Sequence, residues 1–177
     1  MKRVAGSVVI TLLLLGNVLL ASQTLAHQYD PKRHWNNESG RSINFYNGAD
    51  SYHQAATDAR QDWGSNTHIS FDPYSSHVGF HAFDGYYDTN WGGLAVWVDT
   101  YWTGTHHHTT HGHAILNTKY AGSGGYYRRG VFCQEIGHLL GLTHSNDGCM
   151  GMTYYNNINY TVPHNWSDVN NIYDGNH

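Results

Sequence analysis

Residues 133–145, CQEIGHLLGLTHS, constrain the fold of this chain more than any other stretch. Ile136, Leu139, Leu140 and Leu142 give the segment an apolar side at helical spacing. On that helix Gln134 and His138 are i and i+4, so their side chains project from one face, with Glu135 beside them. Gly141 can take the left-handed conformation that ends a helix and turns the chain back. The returning chain then brings His144 to the face that already carries Gln134 and His138. Any fold that accommodates this segment needs a packed helix and a sharp reversal after it.

The residues gathered in this way have the chemistry of a metal centre. Zinc takes imidazole nitrogens at about 2.0–2.1 Å, and a catalytic zinc keeps three protein ligands and an open place for water. His138 and His144 are candidate ligands, Gln134 occupies the third position, and Glu135 is placed to act as general base on a metal-bound water. Glutamate occurs only at Glu38 and Glu135, so its presence here does not follow from an acid-rich composition. Gln134 is the discordant residue. It offers a neutral carbonyl oxygen where zinc sites take Cys, His, Asp or Glu. Three outcomes are open: weak coordination through that oxygen, a histidine supplied from elsewhere, or an empty site in a fold kept for binding.

QEIGHLLGLTHS resembles the zinc-binding helix of the metzincin clan of metallopeptidases, with glutamine where the clan has its first histidine ligand. The closing GLTHS is similar to the matrixin branch in particular. The order of elements around the motif, a helix ending at Trp63, then HISF, an apolar strand and HAILNT, is similar to a metzincin catalytic domain. The resemblance implies an α+β single domain, with a twisted mixed β-sheet, a supporting helix and the zinc-motif helix. It implies Zn2+ as cofactor, His138 and His144 as second and third ligands, and Glu135 as base and proton shuttle. It also implies a methionine turn beneath the metal, for which Met150 is favoured over Met152; if Met152 serves, Tyr154 takes the place of a tyrosine that assists the transition state. HAILNT would be the edge strand above the cleft, to which a peptide adds by backbone hydrogen bonds. The activity implied is a secreted zinc-dependent endopeptidase acting on a peptide or protein substrate. The alternative is a catalytically silent pseudopeptidase serving as a secreted binding module.

The rest of the chain sets the context. Lys2 and Arg3 precede the apolar run Val8 to Leu20, and Thr24-Leu25-Ala26 supplies small residues at cleavage spacing, which predicts a signal peptide over 1–26 and a domain over 27–177. Export to the outside follows, with no membrane association after cleavage. Without Lys2 and Arg3 the 9 basic side chains fall to 7 against 13 acidic ones, and no basic run remains, which excludes a nucleic-acid partner. A monomer is expected. In an exported chain the two cysteines, Cys133 and Cys149, pair as a disulfide. Cys133 lies about 100° around the helix from Gln134, away from the metal face.

Pattern predicts strands at Ser42–Tyr46, His68–Phe71, His77–Phe83, Leu94–Val98 and His113–Tyr120. It predicts helices at Ala49–Trp63, capped by Asp50 or Ser51, from about Arg129 to Gly141, and at Ser167–Tyr173. The run HHHTTHGH places His106, His107, His108, His111 and His113 just before the strand HAILNT. His111 and His113 share a face if that strand starts early, and such clusters bind metal. The matrixin resemblance implies an additional structural metal ion near His77, His81 and Asp84, and the histidine run is itself a candidate to hold one. Asn37, Asn159 and Asn165 begin glycosylation sequons.

Overall fold

The computed structural model describes residues 33–35, 41–73, 78–104, 107–151 and 159–174. The expected signal peptide lies outside them, as do Asn37, His77, His106, Met152 and Tyr154. Strands β1 (Arg33–Trp35), β2 (Ser42–Asn47), β3 (Ser70–Pro73), β4 (Gly79–Gly85), β5 (Gly93–Trp102) and β6 (His107–Asn117) form one mixed sheet. Helices α1 (His53–Asn66), α2 (Gly125–Leu139) and α3 (Pro163–Tyr173) complete the described fold. The α+β class with a mixed sheet, a supporting helix and a motif helix is what the chain adopts. No helix among the described residues is long and apolar enough to cross a membrane.

The sheet runs β1-β6-β4-β2-β3, with β5 along the other side of β6. All neighbours pair in parallel except β5, which is antiparallel to β6. This corrects the expected edge strand. The HAILNT segment lies in β6, which is flanked on both sides, and the edge beyond it is β5. A half-buried edge strand and a central strand show the same alternation, so only the pairing distinguishes them. β6 also begins at His107, so the histidine-rich run is itself strand, and it ends at Asn117, short of Tyr120.

Helix α1 buries Ala56, Ala59 and Trp63 at the spacing the sequence showed. No side chain caps its first turn, and the segment before it is held from a distance. The N–H groups of Asp50, Ser51 and Tyr52 donate to the Asp84 carboxylate at 3.0, 2.9 and 2.7 Å. This fixes the segment leading into α1, which starts at His53, and occupies the Asp84 carboxylate. Helix α2 is buried almost all round from Gly130 to Gly137, not on one apolar face alone, because the sheet and α1 pack against it. Trp63 Nε1 donates to Cys133 O across the α1–α2 interface at 2.9 Å. From α3 the Tyr173 hydroxyl accepts from Trp35 N at 3.0 Å and donates to Leu140 O at 3.1 Å. Burial raises the pKa of this phenol, which stays neutral and ties β1, the end of α2 and α3 together.

Candidate functional site

The end of α2 sets the geometry of the site. Gly141 has φ 101°, its N–H donates to His138 O at 3.0 Å, and Leu142 N–H donates to Gly137 O at 3.0 Å. These two bonds make a Schellman motif, in which a left-handed residue closes the helix. The chain therefore turns back within reach of α2, and His138 Nε2 and His144 Nε2 stand 3.2 Å apart. The Nδ1–H of His138 donates to Leu142 O at 2.8 Å. A carbonyl can only accept, so this bond fixes the tautomer and leaves Nε2 with its lone pair turned to His144.

Two nitrogens on one tetrahedral zinc at about 2.0–2.1 Å are about 3.3–3.4 Å apart. The observed 3.2 Å separation meets that requirement, and the backbone carbonyl on Nδ1 is the outer-sphere partner that ligating histidines use. The pair fits a divalent metal ion. Gln134 is 1 % exposed, and its Nε2 donates to Gly151 O at 2.7 Å. With the amide nitrogen so engaged, the remaining donor that Gln134 can offer a metal is its oxygen, as the first of the three outcomes requires.

Glu135, 3 % exposed, lies where α2 meets β5. A Cβ added to Gly93 would collide with Glu135 Oε1 and with Val131, so the carboxylate occupies space at the edge strand that only glycine leaves open. Met150 is fully buried in the short 3-10 turn Gly148–Met150. A Cβ on Gly137 would meet its sulfur and, at 2.9 Å, Trp63 Cζ2. Met150 therefore lies directly against the motif helix at Gly137, one residue before His138. Ser145 N donates to Met150 O at 2.8 Å, which holds the residue after His144 to the same turn. Cys133 and Cys149 form the expected disulfide across 16 residues.

The histidine-rich run also gathers. His81 on β4 and His111 and His113 on β6 place ligand atoms within 4.8 Å of one another, the one three-member His/Cys/Asp/Glu group of this kind among the described residues. The expected partners differ: Asp84 is occupied at α1, and His111 and His113 join His81 instead. Burial, and secondarily the charge of His111, lower the His113 pKa and favour the neutral ring.

Sequence reasoning passed over Gly93 and Gly137, and it assigned Asp84 to a metal where the structure sets its carboxylate on the N–H groups of Asp50, Ser51 and Tyr52. Gly137 carried a signal, since glycine inside a helix costs about 1 kcal/mol against alanine and marks a close approach. Asn159 and Asn165 are buried, and Asn165 Oδ1 accepts from Val162 N at 3.0 Å at the start of α3, so these two sequons are spent on packing.

No protein-family model matches the chain, and no curated protein does. Among solved structures it is similar to high choriolytic enzyme 1, a hatching enzyme zinc-protease from the medaka fish Oryzias latipes, at 15% sequence identity and a TM-score of 0.39. That likeness covers 63% of this chain and 50% of the other, so the chain spans half the length of the enzyme it matches.

Proposed function

We propose that the chain is an exported metal-dependent endopeptidase whose centre is the His138–His144 pair, with Gln134 as a weak third donor. The observation that carries this reading is the convergence of the two Nε2 atoms to 3.2 Å, with His138 held in the ligating tautomer. A divalent ion held there would polarise the scissile carbonyl and acidify water. Gln134 Oε1, His138 Nε2 and His144 Nε2 would hold it. The Glu135 carboxylate, buried beside Gly93, accepts the proton of the attacking water and passes it to the leaving amine nitrogen. Strand β5 supports the substrate side of this reading. It pairs only with β6 among the described residues, so its outer edge offers backbone donors and acceptors to an extended peptide. Export is supported by the apolar N-terminal run and by the disulfide.

Gln134 favours a second reading. Its amide nitrogen is engaged by Gly151 O, and among the described residues two imidazoles, His138 and His144, converge at the motif helix. A silent domain that binds peptide along β5 would keep this arrangement. Cleavage of an unstructured protein by the mature chain, with and without added Zn2+, separates the two. Activity lost in chelator, restored by Zn2+ and reduced at least about a hundredfold by Glu135→Gln supports the peptidase. Absence of cleavage in the presence of Zn2+, with retained peptide binding, establishes the silent domain.

A further inference from the structure

Alternation along β4 and β6 divides the sheet into two faces. Phe80, Ala82, Ala114 and Leu116 are fully buried, and a Cβ on Gly112 would meet Leu139 of α2 at 2.7 Å. This set faces the motif helix. His81, His111 and His113 therefore stand on the opposite face. Parallel register sets His81 beside His113, with His111 two residues earlier on the same strand.

We propose that His81, His111 and His113 form a second divalent-metal site, for zinc or a similar transition ion, on the face of the sheet turned away from the motif helix. His111 Nε2 and His113 Nε2 are 3.0 Å apart, near the about 3.3–3.4 Å that two nitrogens on a tetrahedral zinc require. His81 completes a set whose ligand atoms all lie within 4.8 Å. Three imidazoles without a carboxylate select zinc and its transition-metal neighbours over magnesium or calcium.

The surroundings match that use. Strand β5 shifts register on both sides of Asp99, and this irregularity sets Asp99 opposite His111, with its carboxylate 3.6 Å from His111 Nδ1. Bulges re-aim side chains in this way, and a carboxylate on the far nitrogen orients a ligating imidazole. Phe83 and Tyr46 flank the group, Phe83 with its centroid 5.0 Å from His113 and Tyr46 5.3 Å from His81, which walls it with apolar surface. An ion there clips β4 to β6 at Gly112, which lies between two of the ligands and against Leu139, the neighbour of His138. The site shares no residue with the His138–His144 pair and stands whether or not that pair binds metal.

The test uses the mature full-length chain carrying His138→Ala and His144→Ala, stripped with chelator and titrated with Co2+ and then Zn2+. The expected result is about one equivalent of Co2+ with the visible absorption of a tetrahedral nitrogen site, displaced by Zn2+, and a higher Tm with Zn2+ than without. Adding His111→Gln and His113→Gln should abolish the absorption and the Tm shift. If that quadruple variant does not fold by circular dichroism, His81→Gln alone on the double-variant background decides, with an expected loss of at least about tenfold in Co2+ affinity. Failure of the double variant to bind Co2+ overturns the proposal. So does binding that persists undiminished after His111 and His113, or His81, are replaced.

Discussion

Replacing Gln134 by histidine should convert a two-imidazole site into a three-imidazole one. Zinc bound by four good protein ligands is worth about 10–16 kcal/mol at neutral pH, or about 2.5–4 kcal/mol for each ligand. The gain is partly offset. Gln134 Nε2 donates to Gly151 O at 2.7 Å, and losing that bond at a buried position costs about 1 kcal/mol. The net is about 1.5–3 kcal/mol, a tightening of roughly 10- to 150-fold in the zinc Kd. Competition against a chromophoric chelator at fixed pH measures it directly. His138→Ala in the same background should erase the gain, because the new imidazole would then lack its partner on the next turn. A change of less than about threefold in Gln134→His would refute the reasoning, since it would mean that position 134 does not face the ion.

Gly137→Ala sets a methyl against the Met150 sulfur and Trp63, and overpacking of about 1–3 kcal/mol outweighs the gain in helix propensity; chemical denaturation should show a loss that Met150→Ala partly relieves. Cys133→Ala with Cys149→Ala opens a loop of 16 residues and should cost about 3 kcal/mol, read as a Tm lower by roughly 6–12 °C. Gly93→Ala pushes into Glu135 Oε1 and Val131. Peptide cleavage should fall at least about tenfold while zinc content by elemental analysis stays unchanged; equal loss of both would place Gly93 in folding and not in the position of the carboxylate.

The motif helix, the turn at Gly141 and the approach of His144 to His138 were legible because they follow from helical period and one left-handed residue. So were α1 and the core of β2, where Ala56, Ala59, Trp63, Ile43 and Phe45 are buried as their spacing requires. What escaped depends on partners distant in sequence. The segment leading into α1 is held by Asp84, and the helix starts at His53 without a side-chain cap, past the local candidates Asp50 and Ser51. The edge position belongs to β5 because β6 is paired on both sides, which no pattern within β6 records. Strand β1, only three residues long, has no periodicity to detect and exists through its pairing with β6. The histidine run misleads in the opposite direction. Its polar composition suggests a loop, yet its even spacing at His111 and His113 is strand period, and the register of β4 supplies His81 to complete the group.

Gln134 takes its meaning from a comparison with His138. A ligating histidine gives one ring nitrogen to the ion and uses the other N–H to hold a backbone carbonyl, as His138 does with Leu142 O. Gln134 likewise holds a backbone carbonyl, with its amide nitrogen on Gly151 O, and in the proposed reading its neutral oxygen would take the first task. Around it, Cys133 is bonded to Cys149 and Gly137 carries Met150. Three neighbouring positions of α2 are thus fastened to the 148–151 turn by a covalent bond, a hydrogen bond and close packing. None of these ties passes through a metal ion. This part of α2 is therefore held to the turn by protein contacts alone, and Gln134→His is expected to act on the affinity for an ion and not on the fold. The distinction between a peptidase and a binding domain then rests on one donor atom at position 134 and on what Glu135 faces across from it.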